Sequence, residues 1–192
     1  MKVISLLAAG LLAWSGAVEA QAAGLPAASA HRAPVAPAPD HAAYDRLLKK
    51  YVNKKGLVNY KGLKAEEQAL NQYLALLSKN PPTASWSKPD QMAFWVNAYN
   101  AYTLRLILDY YPLKSIKDIG PKIKIPLVTT PWAMKFFSIG GEKMSLDQIE
   151  HSILRKKFDD PRIHFALVCA SISCPALRPE AYTAANIERQ LD

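Results

Sequence analysis

Sulfur and imidazole are scarce in this sequence: two cysteines and four histidines among 192 residues. Cys169 and Cys174 lie five positions apart, so the closer two-residue spacing of common thiol–disulfide oxidoreductases is missing. With His151 and His164 they match no common zinc spacing, and neither a metal nor a cofactor is assigned. Beyond the amino terminus no apolar run approaches the ~20 residues that a membrane-spanning helix needs. No internal repeat is visible. Acidic residues are also few, 16 against 24 lysines and arginines, for a net charge of +8. In an exported chain that excess suits an anionic envelope polymer or a peptide partner rather than nucleic acid. A solvated, solubilising face accounts equally well for the lysines at 49, 50, 54, 55, 61 and 64.

Export is read from the first residues. Met1-Lys2 supplies a short positive region, residues 3–14 are apolar, and Val18-Glu19-Ala20 offers a small-x-small cleavage site. Residues 1–20 therefore read as a signal peptide, which places the mature protein outside the cytoplasm, in the periplasm. No cysteine stands near the cleavage site to carry a lipid. Residues 21–40 are rich in alanine and proline and read as a flexible tether. Residues 41–192 have the size of a single globular domain. Its last residues, Gln190-Leu191-Asp192, read as mid-helix with no stop signal, which predicts a missing C-terminal segment.

The predicted fold class is α+β, or loosely α/β: a helical N-terminal half whose buried central helix packs on a small sheet containing a β-hairpin. Asp40 can cap a first helix with Tyr44, Leu47, Leu48 and Tyr51 on one face. A second amphipathic helix is predicted over 63–78. A third begins at Ser87 and ends near Tyr110, because Pro112 disfavours helical geometry at Tyr111. This third helix is apolar nearly all round, as a buried central helix would be. Alternation at Lys122-Ile123-Lys124-Ile125 predicts an edge strand. Gly140-Gly141 between two short apolar runs predicts a hairpin. Ser145 and Gln148 form a capping box for a helix over 146–158, and 163–169 reads as a buried strand.

The candidate site is assembled from these elements. Asn97 and Asn100, three apart in the apolar helix, must find hydrogen-bond partners, either loop backbone or a cleft. Cys169 and Cys174 read first as a disulfide worth ~2 kcal/mol by loop restriction. The competing reading makes Cys169 a nucleophile, with Ser171 and Ser173 donating to an oxyanion and His151 or His164 as base. On a regular strand His164 and Cys169 would point to opposite faces, which favours His151, oriented by Glu150 or Asn97. Arg155 shares a face with Gln148 and His151 and joins the cleft-lining candidates.

Three segments carry a resemblance. Ala93-Phe94-Trp95-Val96-Asn97-Ala98-Tyr99-Asn100-Ala101, then Ser145-Leu146-Asp147-Gln148-Ile149-Glu150-His151 with Leu154-Arg155, then His164 through Cys174-Pro175, resemble in order the motifs of the domain-of-unknown-function family 547. The resemblance extends from about Tyr44 to Asp192, with Val96 where isoleucine is commoner. It implies an exported bacterial member whose motifs converge on one cleft, and it supplies no activity. Three functions remain open: a non-catalytic envelope module stapled by Cys169–Cys174, a cysteine-dependent hydrolase or acyl transferase, and a thiol redox protein.

Overall fold

The computed structural model describes residues 37–120, 130–170 and 174–192. The expected signal peptide, most of the expected tether, the expected strand at Lys122–Ile125, and Ser171 and Ser173 lie outside the described residues. Within them the chain is α+β: helices surround a single two-stranded antiparallel sheet. Among the described residues no helix is long and apolar enough to cross a membrane.

Helix α1 (Ala42–Tyr51) starts where Asp40 accepts the Ala42 N–H at 2.8 Å, and it buries the predicted face of Tyr44, Leu47, Leu48 and Tyr51. The single helix expected over 63–78 is two, α2 (Tyr60–Ala65) and α3 (Glu67–Lys79). Asn59 caps α2 through the Gly62 N–H, and Glu66 leaves helical geometry at φ −115° and ψ 25°. The break lets α2 tuck beneath Tyr51, where Gly62 is required: a Cβ there would lie 2.7 Å from the Tyr51 ring. Helix α3 meanwhile keeps Leu70, Leu74 and Leu77 in the core.

Helix α4 (Lys88–Tyr110) is the central rod, about 34 Å long at 1.5 Å per residue. Ser87 caps it, accepting the Asp90 N–H at 3.1 Å, but the Asp90 carboxylate takes the Ser87 hydroxyl rather than its backbone N–H. The helix ends at Tyr110, with Tyr111 extended ahead of Pro112, as predicted. Strands β1 (Phe137–Ile139) and β2 (Glu142–Met144) pair through a turn in which Gly140 and Gly141 both take positive φ. Phe137 stacks on Tyr102 of α4 with ring centroids 3.8 Å apart, and the Gly140 N–H donates to the Ser78 carbonyl at the end of α3.

Two expectations about the C-terminal third are corrected. The capping box forms, with Ser145 N–H on Gln148 Oε1 at 3.0 Å and Gln148 N–H on Ser145 Oγ at 3.2 Å. Beyond it the chain winds not as a plain α-helix but as a π-helical segment, Gln148–Leu154, that runs into α5 (Arg155–Lys157). The strand expected over 163–169 is instead a short helix, α6 (Ile163–Ala166), followed by irregular backbone. No strand among the described residues lies beside it to complete a ladder. Asn100 takes that role: its amide donates to the Ala166 carbonyl at 2.9 Å and accepts the Val168 N–H at 2.9 Å.

The same device recurs further along. Asn97 grips one residue, donating to the Tyr182 carbonyl at 2.8 Å and accepting the Tyr182 N–H at 2.9 Å. Gln190, in the final helix α7 (Ile187–Leu191), donates to the Ala181 carbonyl and accepts the Thr183 N–H, both at 2.9 Å. Asp45 of α1 accepts the remaining Ala181 N–H at 3.0 Å.

Replacing Asn97 by alanine leaves the buried Tyr182 N–H and carbonyl without partners. The expected loss is about 2–4 kcal/mol of stability, measured as a lower denaturant midpoint at unchanged slope. A second prediction concerns His41, which lies just beyond the expected tether and is buried, with the Tyr73 hydroxyl 2.7 Å from Nδ1. Burial pushes its pKa from 6.5 down to about 4, against the opposing charges of Asp40 and Asp90. The unfolded chain therefore binds a proton that the folded chain refuses between these values. Stability present above pH 6.5 should fall as the pH drops toward 4, and His41→Gln should flatten that slope in chemical denaturation.

Candidate functional site

A half-buried carboxylate organises the site. Glu150 lies in the π-helical segment with its side chain 15% exposed. Around an α-helix, residues five apart stand about 140° from one another. The wider i→i+5 winding brings them closer, and the Arg155 N–H donates to the Glu150 carbonyl in that pattern. Their side chains pair as well, Arg155 Nη2 to Glu150 Oε1 at 2.8 Å.

His164 of α6 completes the cluster. Its Nδ1 lies 3.5 Å from Arg155 Nη2 and 4.0 Å from Glu150 Oε1. Toward the guanidinium Nδ1 can only accept and toward the carboxylate it can only donate, so the tautomer decides which contact it makes. These side chains open onto a cleft of about 370 Å³ with Pro161, Ile163 and Leu167 as its apolar surface. Tyr99 of α4 lies close enough for its hydroxyl to be affected. Burial, then the charges of Glu150 and Asp147, hold that hydroxyl protonated well above its ordinary range. Desolvation likewise raises the Asp147 carboxyl, while the His151 charge pulls it down. Residues from two of the three resembling motifs line this cleft, Glu150 with Arg155 and His164, and Tyr99 of the first motif is not among them.

The sulfurs are not among the residues that line this cleft. Cys169 and Cys174 form a disulfide with Cα atoms 6.0 Å apart, within the usual span. No free cysteine remains, so Cys169 carries no thiol in this state. Cys174 and Ala170 instead border a second groove of about 450 Å³, between the 55–60 loop and the 174–177 segment. Ala170 adopts φ 55°, a left-handed conformation at a non-glycine residue beside the disulfide. Strand alternation does not separate His164 from Cys169, because no strand forms there.

The remaining candidates divide clearly. His151 is exposed and acts on Asp147, and the carboxylate expected to orient it, Glu150, is engaged by Arg155 beside His164. Asn97 and Asn100 direct both ends of their amides to loop backbone, although Asn100 also borders the second groove. Among the described residues no group of three or more histidine, cysteine, aspartate or glutamate side chains could hold a metal ion. The Glu150–Arg155 pairing is the functional feature that sequence reasoning missed. A spacing of five is no helical-face signal, and only the π winding makes it one.

Counting thiols tests the sulfur geometry. In native protein recovered from an oxidising compartment, no thiol should react with an alkylating reagent, and two should react after reduction. One rapidly alkylated thiol at neutral pH in the unreduced protein would contradict the disulfide.

The family described as "Protein of unknown function, DUF547" matches the chain over residues 83–192. The match takes in all three motif segments and begins later than the Tyr44 suggested by the resemblance. No curated protein and no solved structure matches the chain. The matched region covers the larger part of the sequence and holds every residue of the Glu150–Arg155–His164 cleft: this chain belongs to the DUF547 family.

Proposed function

We propose that this chain is an exported, non-catalytic binding module that recognises an acidic peptide segment at the Glu150–Arg155–His164 cleft. The observation that carries the reading is the state of Arg155. One nitrogen, Nη2, serves Glu150 and His164, while Nε and Nη1 have no partner among the described residues. A guanidinium held by one carboxylate and open on its other edge suits a second carboxylate.

Its surroundings agree with a peptide ligand. Lys156 and Lys157 follow directly on Arg155 in α5, with no ion pair among the described residues. Phe165 is 68% exposed beside His164, with ring centroids 5.6 Å apart, an aromatic anchor of the kind that dominates peptide interfaces. Pro161, Ile163 and Leu167 give the cleft an apolar surface that a purely polar polymer would not use. Export rests on the N-terminal reading and is consistent with a disulfide that persists in an oxidising compartment.

A second reading, hydrolysis or acyl transfer by reduced Cys169 with His164 as base, is favoured by one observation. Helix α6 removes the strand that would have set His164 and Cys169 on opposite faces.

The test is calorimetric titration with a short peptide of alternating glutamate and phenylalanine at two salt concentrations. Arg155→Ala should weaken binding about tenfold, about 1.4 kcal/mol, and Phe165→Ser should weaken it at both salts alike. Polyphosphate binding as tightly as the peptide would move the assignment to an anionic polymer. Undiminished affinity in Arg155→Ala would remove the cleft from the interaction.

A further inference from the structure

We propose that the groove between the 55–60 loop and the 174–177 segment is a separate binding site for a small amphipathic carboxylate, its apolar body inside and its acid on Lys55. The groove has a volume of about 450 Å³, within the range of small-molecule sites. Val58, Leu104, Val168, Ala170, Pro175 and Leu177 supply apolar walls.

Two polar side chains along those walls, Asn100 and Thr103, are already engaged. The Asn100 amide holds Ala166 and Val168, and the Thr103 hydroxyl donates to the Tyr99 carbonyl at 2.8 Å. A polar ligand body would leave its water and find few partners in exchange, so the interior selects an apolar one.

Two groups at the groove remain available. Lys55 is exposed and has no ion pair among the described residues, unlike Lys49, Lys50 and Lys64, which pair with Asp45, Glu66 and Glu67. Tyr60 borders the groove, and its hydroxyl has no hydrogen-bond partner among the described residues. Burial raises that hydroxyl to about 12, so it stays a donor across the physiological range. One cation and one neutral donor complement a single carboxylate. The lysine supplies charge and the phenol a directed hydrogen bond.

The two walls are also locked together before any ligand arrives. Gly56 takes φ +74°, and a Cβ there would stand 2.5 Å from the Ala176 Cβ and 2.8 Å from the Leu177 nitrogen. The disulfide pins Cys174 at the start of the second wall. A preformed site loses little to ordering on binding.

Octanoate, octanol and octylamine are the probes, titrated against the full protein by calorimetry and ligand-observed NMR. Octanoate should bind saturably and at least tenfold more tightly than octylamine. Because Lys55 is exposed, Lys55→Glu should fold normally, weaken octanoate by tenfold or more and reverse the preference toward octylamine. Tyr60→Phe should weaken octanoate severalfold and leave octanol unchanged. Val58→Trp, which fills the groove, should abolish binding of all three. No saturable octanoate binding, or equal affinity in the wild type and Lys55→Glu, would overturn the assignment. Because the probes and variants address a different cleft, neither result bears on the acidic peptide.

Discussion

Buried peptide groups need partners, and past the hairpin no sheet among the described residues supplies them. Between Ala166 and Thr183 the described backbone beyond α6 is held beside the central helix by side-chain amides instead. Asn100 serves Ala166 and Val168, Asn97 serves both groups of Tyr182, and Gln190 serves Ala181 and Thr183. An amide side chain offers N–H donors and a carbonyl acceptor side by side, so each can replace one rung of a missing ladder. Two of the three project from α4, which is buried along nearly its whole length. The irregular segment thus inherits the rigidity of the most deeply packed element in the molecule.

That arrangement sets both clefts. The Asn100 clasp falls between His164 and Cys169, so one fixed point governs what stands on either side. Toward the N-terminal side, α6 delivers His164 to Glu150 and Arg155. Toward the C-terminal side, the chain passes through the left-handed Ala170 to the disulfide and the second groove. Asn97, one helical turn earlier, anchors Tyr182 and with it the approach to α7. Loosening Asn100 would disturb a wall of the second groove, which it borders.

The features legible in the sequence are those that depend on near neighbours along the chain. The buried face of α1, the end of α4 before Pro112, the double-glycine hairpin and the Ser145–Gln148 capping box are all decided within a few residues. They fall where the pattern places them. The features that escaped were decided by distant partners. Apolar character at 163–169 suits a buried strand, but strand geometry needs a neighbour, and the amide of Asn100 removed the need for one. The break at Glu66 depends on the Tyr51 ring meeting Gly62. The Glu150–Arg155 pair depends on π winding that no spacing rule anticipates. That Asn97 and Asn100 must be satisfied was legible from their place in an apolar helix; which backbone they would grip was not.

The geometry around Glu150 also bears on what kind of chemistry the cleft supports. In a histidine-based catalyst the carboxylate holds the imidazole and stabilises its protonated form. Here Glu150 Oε1 is 2.8 Å from the Arg155 guanidinium and 4.0 Å from His164 Nδ1, so its charge-assisted hydrogen bond goes to arginine. The same guanidinium lies 3.5 Å from Nδ1, nearer than the carboxylate. On the proposed reading, an incoming carboxylate would find a cation already oriented by Glu150, with apolar surface beside it. The proposal of recognition at this cleft therefore rests on the placement of Arg155, not on the oxidation state of the sulfurs.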